Sequence, residues 1–465
     1  MAPRSEPAHA VSSQTWALIQ LGQALHKGVH CGCLRVRLSV AIRPGSSQPC
    51  LGEVTVLKKV AGVLATLLSV AVFSAPAASA SYSPDEGAIF NDPTGEFASK
   101  LALMHRVEAT IDSTPLGATI LISTYLLDRK VTVDKLIEAA RSPAAGGRAN
   151  SVQVVMDKGI DNLQSRRLMR VLNADNDTID PATGEVTRGG PDRSFAYKCI
   201  GSCRGAGGND HAKFYAFSQA GTSSNVVMVS SANLNKGGAY AGYNDLFTMV
   251  NKEIYDKYAA IHSEMRDDTD RDVDAYQTLS SGRFENRFFP MRHATKATDP
   301  VLKDLSRVRC FGSTGDAGRD GRTVIHISMF SWGGTRGMYI TDRLLQLQRA
   351  GCVVSVIYGA PSNDVAAVLR HAAWQGRINL YDTRVDRNDD GQVDLRVHSK
   401  YMLISGNFGG NTSAWQLYTG SQNWTDGALT RADEIMLGIQ GRPAYSNYLA
   451  NWIDVRRTGS RRIGG

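Results

Sequence analysis

Two sets of polar residues recur along this chain in the same order. The first is His211, Lys213, Ser231 and Asn233, within "DHAKFYAFS" and "SSANLN". The second is His398, Lys400, Ser421 and Asn423, within "VHSKYMLISG" and "TGSQNW". One residue separates His from Lys, and Ser from Asn, so on an extended strand both members of a pair share a face. A closed core would not tolerate four such polar groups unless each found a partner. Two half-sites facing each other would surround one space with two imidazoles, two ammonium groups and two amides. That space suits a phosphodiester. Lys and Asn would hold the non-bridging oxygens and stabilise developing charge. One histidine can attack phosphorus and the other can protonate the departing alcohol. A histidine in either role needs its second ring nitrogen oriented, usually by a carboxylate. Asp245, 34 residues after His211, and Glu434, 36 residues after His398, each precede an apolar run and are predicted for that task.

The elements that must position these groups are also duplicated. "ATILISTYLL" reads as a strand, and "TVDKLIEAA" as a helix with Val133, Leu136, Ile137 and Ala140 at helical spacing. "SVQVVMDKG" is a second strand. The later part repeats the order with "TVIHISMFSW", then "TDRLLQLQRAG" with Ile340, Leu344 and Leu347 on one face, then "CVVSVIYGA". Gly146 and Gly351 are the helix stop signals. Strand, helix, strand implies parallel strands joined by a crossover helix. The prediction is an α/β protein of two similar lobes, each a mixed, mostly parallel sheet flanked by helices, with the active site at the lobe interface. The lobes are placed at residues 81–265 and 301–465, with a polar connector at 266–300. Residues 173–194 read as a long polar loop.

The double pattern resembles the phospholipase D superfamily, over most of residues 90–455. "VHSKYMLISG" with "TGSQNWTDGAL" is the stronger copy; "DHAKFYAFS" with "SSANLN" has Ser230 where glycine is usual. The acidic residue expected five after each lysine is Ser218 in one copy and Ser405 in the other. In the family that carboxylate is mostly structural. The resemblance implies a phosphohistidine intermediate with no metal required, His211 as nucleophile and His398 as acid/base. It also implies that Asp245 and Glu434 orient the histidines, within a half or across to the other. The near-symmetry of the halves leaves the order of the two histidines open.

The chain's front end reads differently. Residues 56–80, "VLKKVAGVLATLLSVAVFSAPAASA", have the lysine pair, apolar run and Ala-Ser-Ala site of a secretory signal peptide, cleaved after Ala80. Residues 1–55 show no periodicity and read as a non-structural extension from a start codon called too early. The formal charge is +8, but seven of the 52 basic and two of the 44 acidic residues precede residue 81. The remaining 45 against 42 give about +3, which does not announce a nucleic-acid binder. Four cysteines remain, Cys199, Cys203, Cys310 and Cys352. An even count in an exported chain suggests disulfides, with "CIGSC" as the best candidate pair and Cys310 with Cys352 following.

Two weaker signals complete the reading. "DRNDDGQVD" resembles a calcium loop, with Asp386, Asn388, Asp390, Gly391 and Asp394 at positions 1, 3, 5, 6 and 9. Position 12 is Val397 where a bidentate Glu is expected, so a solvated Asp-Gly turn is the stronger reading. Phe330, Trp332 and Trp424 flank the expected mouth and could meet acyl chains or a membrane surface, although packing is their more frequent use. His105, His262, His326 and His371 have no partner set and read as structural. The expectation is a secreted, monomeric phosphodiesterase that cleaves or transfers a phospholipid headgroup and requires no cofactor. Its rivals are a nuclease of the same superfamily and a non-catalytic binder of phosphate-bearing lipids.

Overall fold

The computed structural model describes residues 82–464, except 142, 174–177, 180–185, 188–192 and 272–274. The signal peptide and the extension before it lie outside the described residues, as does most of the 173–194 loop. The two strand–helix–strand units form as the apolar spacing predicts. Strands Thr119–Thr124 and Ser151–Asp157 pair in parallel across helix Lys130–Ala140, which buries Val133, Leu136 and Ile137. Its inward alanine is Ala139 rather than Ala140, and a short 3-10 turn separates the helix end from Gly146. Strands Val324–Trp332 and Val353–Pro361 do the same across helix Gly334–Arg349, with Ile340, Leu344 and Leu347 inward. That helix stops against Gly351, whose φ of 102° is open to glycine at little steric cost.

The protein is α/β with two mixed sheets, one of seven strands and one of ten. The expectation of mostly parallel sheets is corrected. In the smaller sheet four strand pairings are antiparallel and two parallel. Within the two sheets, only the crossover helices create parallel pairs. The runs that follow each His-x-Lys are joined by tight turns, and such hairpins are antiparallel. Strand Phe214–Ala220 pairs with Ser223–Ser230, and Lys400–Phe408 with Asn411–Gly420. Residues 277–289, inside the stretch read as a connector, form two strands that extend the larger sheet beside Glu434–Gln440.

The sheets pack through a shared apolar core that includes Phe214, Phe247, Tyr258, Leu403, Leu437 and Trp452. Short cross-links lie at the seam. Arg396–Val397 pairs in parallel with Gly242–Tyr243, and Asp210 bridges to Asp433. Gly242 is required here, because a Cβ would lie 2.9 Å from that of His398. Cys199–Cys203 and Cys310–Cys352 are disulfide-bonded. Among the described residues no helix is long and apolar enough to cross a membrane.

Candidate active site

Each His-x-Lys sits at the entry to a central strand, and each Ser-x-Asn in the turn that leaves the next strand. This differs slightly from the prediction that all four lie within strands. The entry positions are extended, so alternation still aims both members of a pair to one side. The two half-sites meet in a cleft of about 720 Å³ lined by His211, Asn233, His398 and Asn423. Lys213 and Lys400 lie buried beneath it, each donating from Nζ to the carbonyl of its own histidine.

The backbone of each histidine is pinned to the opposite half. His211 N–H donates to the Asp433 carbonyl at 3.1 Å, and His398 N–H to the Tyr243 carbonyl at 2.9 Å. The next residue on each partner strand then meets the imidazole. His211 Nδ1 lies 2.9 Å from Glu434 Oε1, and His398 Nδ1 lies 2.8 Å from Asn244 Oδ1. Orientation across to the other half therefore holds for both rings. Asp245 does not take the predicted part. Its Oδ2 accepts from Thr419 Oγ1 at 2.5 Å and from Tyr448 O–H at 2.9 Å, which makes it a tie between the sheets.

The error comes from counting from the histidines, because the intervening hairpins differ in length. Counting from the serines gives the true equivalence. Ser231 donates to Asn244 Oδ1 and Ser421 to Glu434 Oε2, both across 13 positions. Each serine oxygen also accepts the following backbone N–H, from Asp245 and Ile435. Ser231 and Ser421 are thus braces for the groups that hold the histidines. Asn244 was missed because an amide is not the usual partner, although the serine spacing pointed to it.

The Asn244 amide has a settled orientation. Its Nδ2 donates to the carbonyls of Gly238 and Gly242, at 3.1 and 3.0 Å, so Oδ1 must face the imidazole. An oxygen there accepts, so His398 carries its proton on Nδ1 and presents the Nε2 lone pair to the cleft. Glu434 faces His211 in the same way, but as a carboxyl group 1% exposed on its side chain. Burial pushes Glu434 up to about 8. Burial, then Lys213 and Lys400, holds His211 well below the usual histidine range. His398 is lowered for the same reasons, burial first and then Lys400. Burial brings Lys213 down to about 8, against the pull of Glu434, and lowers Lys400 well below a normal lysine.

A bound phosphodiester would relieve this arrangement, because its negative charge favours the protonated form of every nearby base. The buried Arg336–Asp299 pair supports the second half-site. Arg336 also donates to Gln422 Oε1 and to the Asn423 carbonyl, at 3.1 and 3.0 Å.

Ser218 and Ser405 stand at the far ends of the lysine strands, roughly 17 Å along an extended chain from the lysines. Ser218 Oγ accepts from Thr119 N–H and Ser405 Oγ from Gly318 N–H, each at 2.8 Å. Hydroxyls therefore do a structural task at both positions, away from the cleft.

The remaining expectations resolve differently. Trp332 and Trp424 are buried against each other, with centroids 4.6 Å apart, so neither reaches an acyl chain at the mouth. Phe330 does line the cleft, its ring tilted against His398 at 4.5 Å, and Tyr125 is its counterpart on His211 at 5.0 Å. In the 386–394 loop Asp386, Asn388, Asp390 and Asp394 accept backbone N–H groups of their own turn. Val397, at the twelfth position, is a buried core residue.

A family model described as "Cardiolipin synthase, PLD-like domain" matches residues 320–454. That span holds the whole second half-site, and the first repeats its geometry. Residues 320–454 are thus similar to a phospholipase D-like domain. No curated protein matches the chain. Among solved structures, the chain is similar to phosphatidylserine synthase from Haemophilus influenzae Rd KW20. The identity is 12% and the TM-score 0.49, over 78% of this chain and 86% of that one. It is also similar to polyphosphate kinase from Porphyromonas gingivalis, at 14% identity and TM-score 0.49, covering 82% of this chain. The match takes in 48% of that kinase, so the chain spans about half its length. The phospholipase D family member Nuc from Salmonella typhimurium matches 39% of this chain and 98% of its own, at 18% identity and TM-score 0.26.

Proposed function

We propose that this chain is an exported phosphodiesterase that cleaves or transfers a phospholipid headgroup through a phosphohistidine on His211. The observation that carries the reading is the crossed pairing of two histidines with orienting groups from opposite halves, over two buried lysines. The unlike partners also support an order for the two rings. Attack by the His211 Nε2 lone pair on phosphorus leaves a positive imidazole, which the Glu434 carboxylate can balance. The amide partner of His398 holds a tautomer without adding charge, which suits a ring that must take and release a proton.

In the first step the P–O bond to the headgroup breaks as the P–N bond forms. The departing oxygen keeps the bonding pair and takes a proton from His398, which the bound diester has helped to protonate. In the second step water, or another alcohol, gives its proton to His398 Nε2 as its oxygen bonds to phosphorus. The P–N pair then returns to His211. Lys213, Lys400, Asn233 and Asn423 hold the non-bridging oxygens throughout. Two disulfides support the reading of export.

A nuclease is the second reading. It is favoured by the cleft lining, which includes Arg396 and Arg431 but none of the exposed large apolar side chains. The test uses the cleaved form beginning at residue 81, beside H211A and H398A, on phosphatidylcholine vesicles and single-stranded DNA. Headgroup release lost in both variants, with an acid-labile phosphoryl adduct on His211, is the expected result. An adduct on neither histidine, with turnover surviving in both variants, overturns the mechanism.

A further inference from the structure

We infer that the leaving headgroup is itself anionic, and that Arg396 holds its second negative group. The inference rests on the phosphodiesterase reading above and names the class of headgroup. Glu434 is the one acidic residue among those lining the cleft, and both its oxygens are engaged, by His211 and by Ser421. A quaternary ammonium headgroup needs a free carboxylate or an open aromatic face. The two aromatic faces are already covered by the protein's own cations. Lys213 Nζ lies 5.2 Å from the Tyr125 ring centroid. Lys400 Nζ and the Arg396 guanidinium lie 5.1 and 5.2 Å from that of Phe330. The described lining offers choline no dedicated contact.

An anion is suited. Arg396 and Arg431 are exposed at the cleft, and neither is ion-paired with a carboxylate among the described residues. The single charge of a diester already has Lys213 and Lys400 beneath it. Two further guanidiniums are in surplus for that one charge and present forked donors matched to phosphate or carboxylate. The two stand on opposite flanks of the cleft. Arg396 N–H donates to the Ala241 carbonyl, on the side of His398, whereas the Arg431 backbone lies against Gly208, three residues before His211. Arg396 is therefore the cation beside His398. It lies over Phe330, whose ring packs against His398. His398 is the ring assigned to the leaving oxygen, so the extra anion belongs to the departing group. A glycerol headgroup bearing a second phosphate has this chemistry, and so does the next phosphate of a nucleic-acid strand.

The test compares the purified full chain with R396Q and, from the opposite flank, R431Q, two exposed positions whose change should leave the melting temperature in place. Titration calorimetry at low salt measures glycerol 1,3-bisphosphate against glycerol 1-phosphate. The bisphosphate is expected to bind at least tenfold tighter to the unaltered chain, with the preference shrinking to threefold or less in R396Q and kept in R431Q. Equal affinities in the unaltered chain, or a preference that survives in R396Q, overturn the inference. Turnover is read in parallel on mixed micelles of cardiolipin or phosphatidylcholine and on a single-stranded oligonucleotide. Cardiolipin cleaved at least tenfold faster than phosphatidylcholine, in an arginine-dependent way, supports it. Equal rates on the two lipids overturn it. Arginine-dependent cutting of the oligonucleotide alone keeps the second anion and overturns the lipid headgroup. A bisphosphate preference with no turnover of any substrate supports the anion site and overturns the phosphodiesterase reading instead.

Discussion

Glu434→Gln keeps the shape of the group facing His211 and removes its charge. The Glu434 oxygen lies 2.9 Å from Nδ1 and the side chain is almost wholly buried, so solvent screens the interaction little. An opposite charge at this range is worth about 1–3 pKa units to an imidazolium. At 1.36 kcal/mol per unit that is ~1.4–4 kcal/mol, or about tenfold to a thousandfold in the rate of forming a positively charged phosphohistidine. The reverse change, Asn244→Asp, places a carboxylate beside His398 and should raise that ring's proton affinity by a similar amount. The assay is single-turnover release of 4-nitrophenol from bis(4-nitrophenyl) phosphate, with the adduct trapped in parallel and thermal melts as a fold control. E434Q should slow adduct formation within that range. N244D should instead move the pH dependence of the step that uses His398 upward. A loss below threefold in E434Q with an unchanged melt, or an adduct trapped on His398, would refute the assignment of roles.

Glu434 and Lys213 are both brought to about 8 by burial and interact, so they titrate as a pair. Below that pH a protonated Glu434 donates to Nδ1 and leaves the His211 proton on Nε2, where attack is blocked; above it Lys213 loses its charge. The profile of kcat/KM should therefore be a narrow bell near pH 8, and E434Q should abolish the rising limb. His262, buried and lowered to about 4, is neutral in the folded chain. The unfolded chain takes up that proton below about 6.5, so up to ~3 kcal/mol of stability should be lost as pH falls from about 6.5 to 4, and little more beyond; denaturant titrations at stepped pH check this. Ser202 Oγ and Cys203 N–H both donate to Asp433, the neighbour of Glu434, at 2.8 and 2.5 Å. C199S/C203S should cost more than tenfold in kcat with circular dichroism retained. S405A should lower stability by about 1 kcal/mol with kcat within twofold, since its hydrogen bond lies far from the cleft.

The repeated strand–helix–strand units and the four polar pairs were legible because each has a short, local signature. Apolar residues at period 3.6 marked the helices, and one-residue spacing marked the His-x-Lys and Ser-x-Asn faces. Sheet direction was not legible in the same way, since it depends on how many strands each hairpin adds. Asp245 was misassigned for a geometric reason. The distance along the chain from His211 includes a hairpin whose length is free to vary, whereas the stretch from Ser231 to Asn244 spans one fixed turn and a short helix. Trp332 and Trp424 looked like rim residues in sequence because each adjoins a site residue. Their burial follows from the helices that close over them, Gly334–Arg349 and Asp426–Thr430, whose docking no local pattern announces.

The unlike partners of the two histidines have a consequence for how such a site can evolve. In a two-fold homodimer every substitution appears twice, so both rings would always face the same residue. Carrying both copies in one chain removes that constraint. Glu434 and Asn244 can then differ while their serine braces stay alike. A cleft that symmetry would allow to work from either side thereby acquires a fixed front and back.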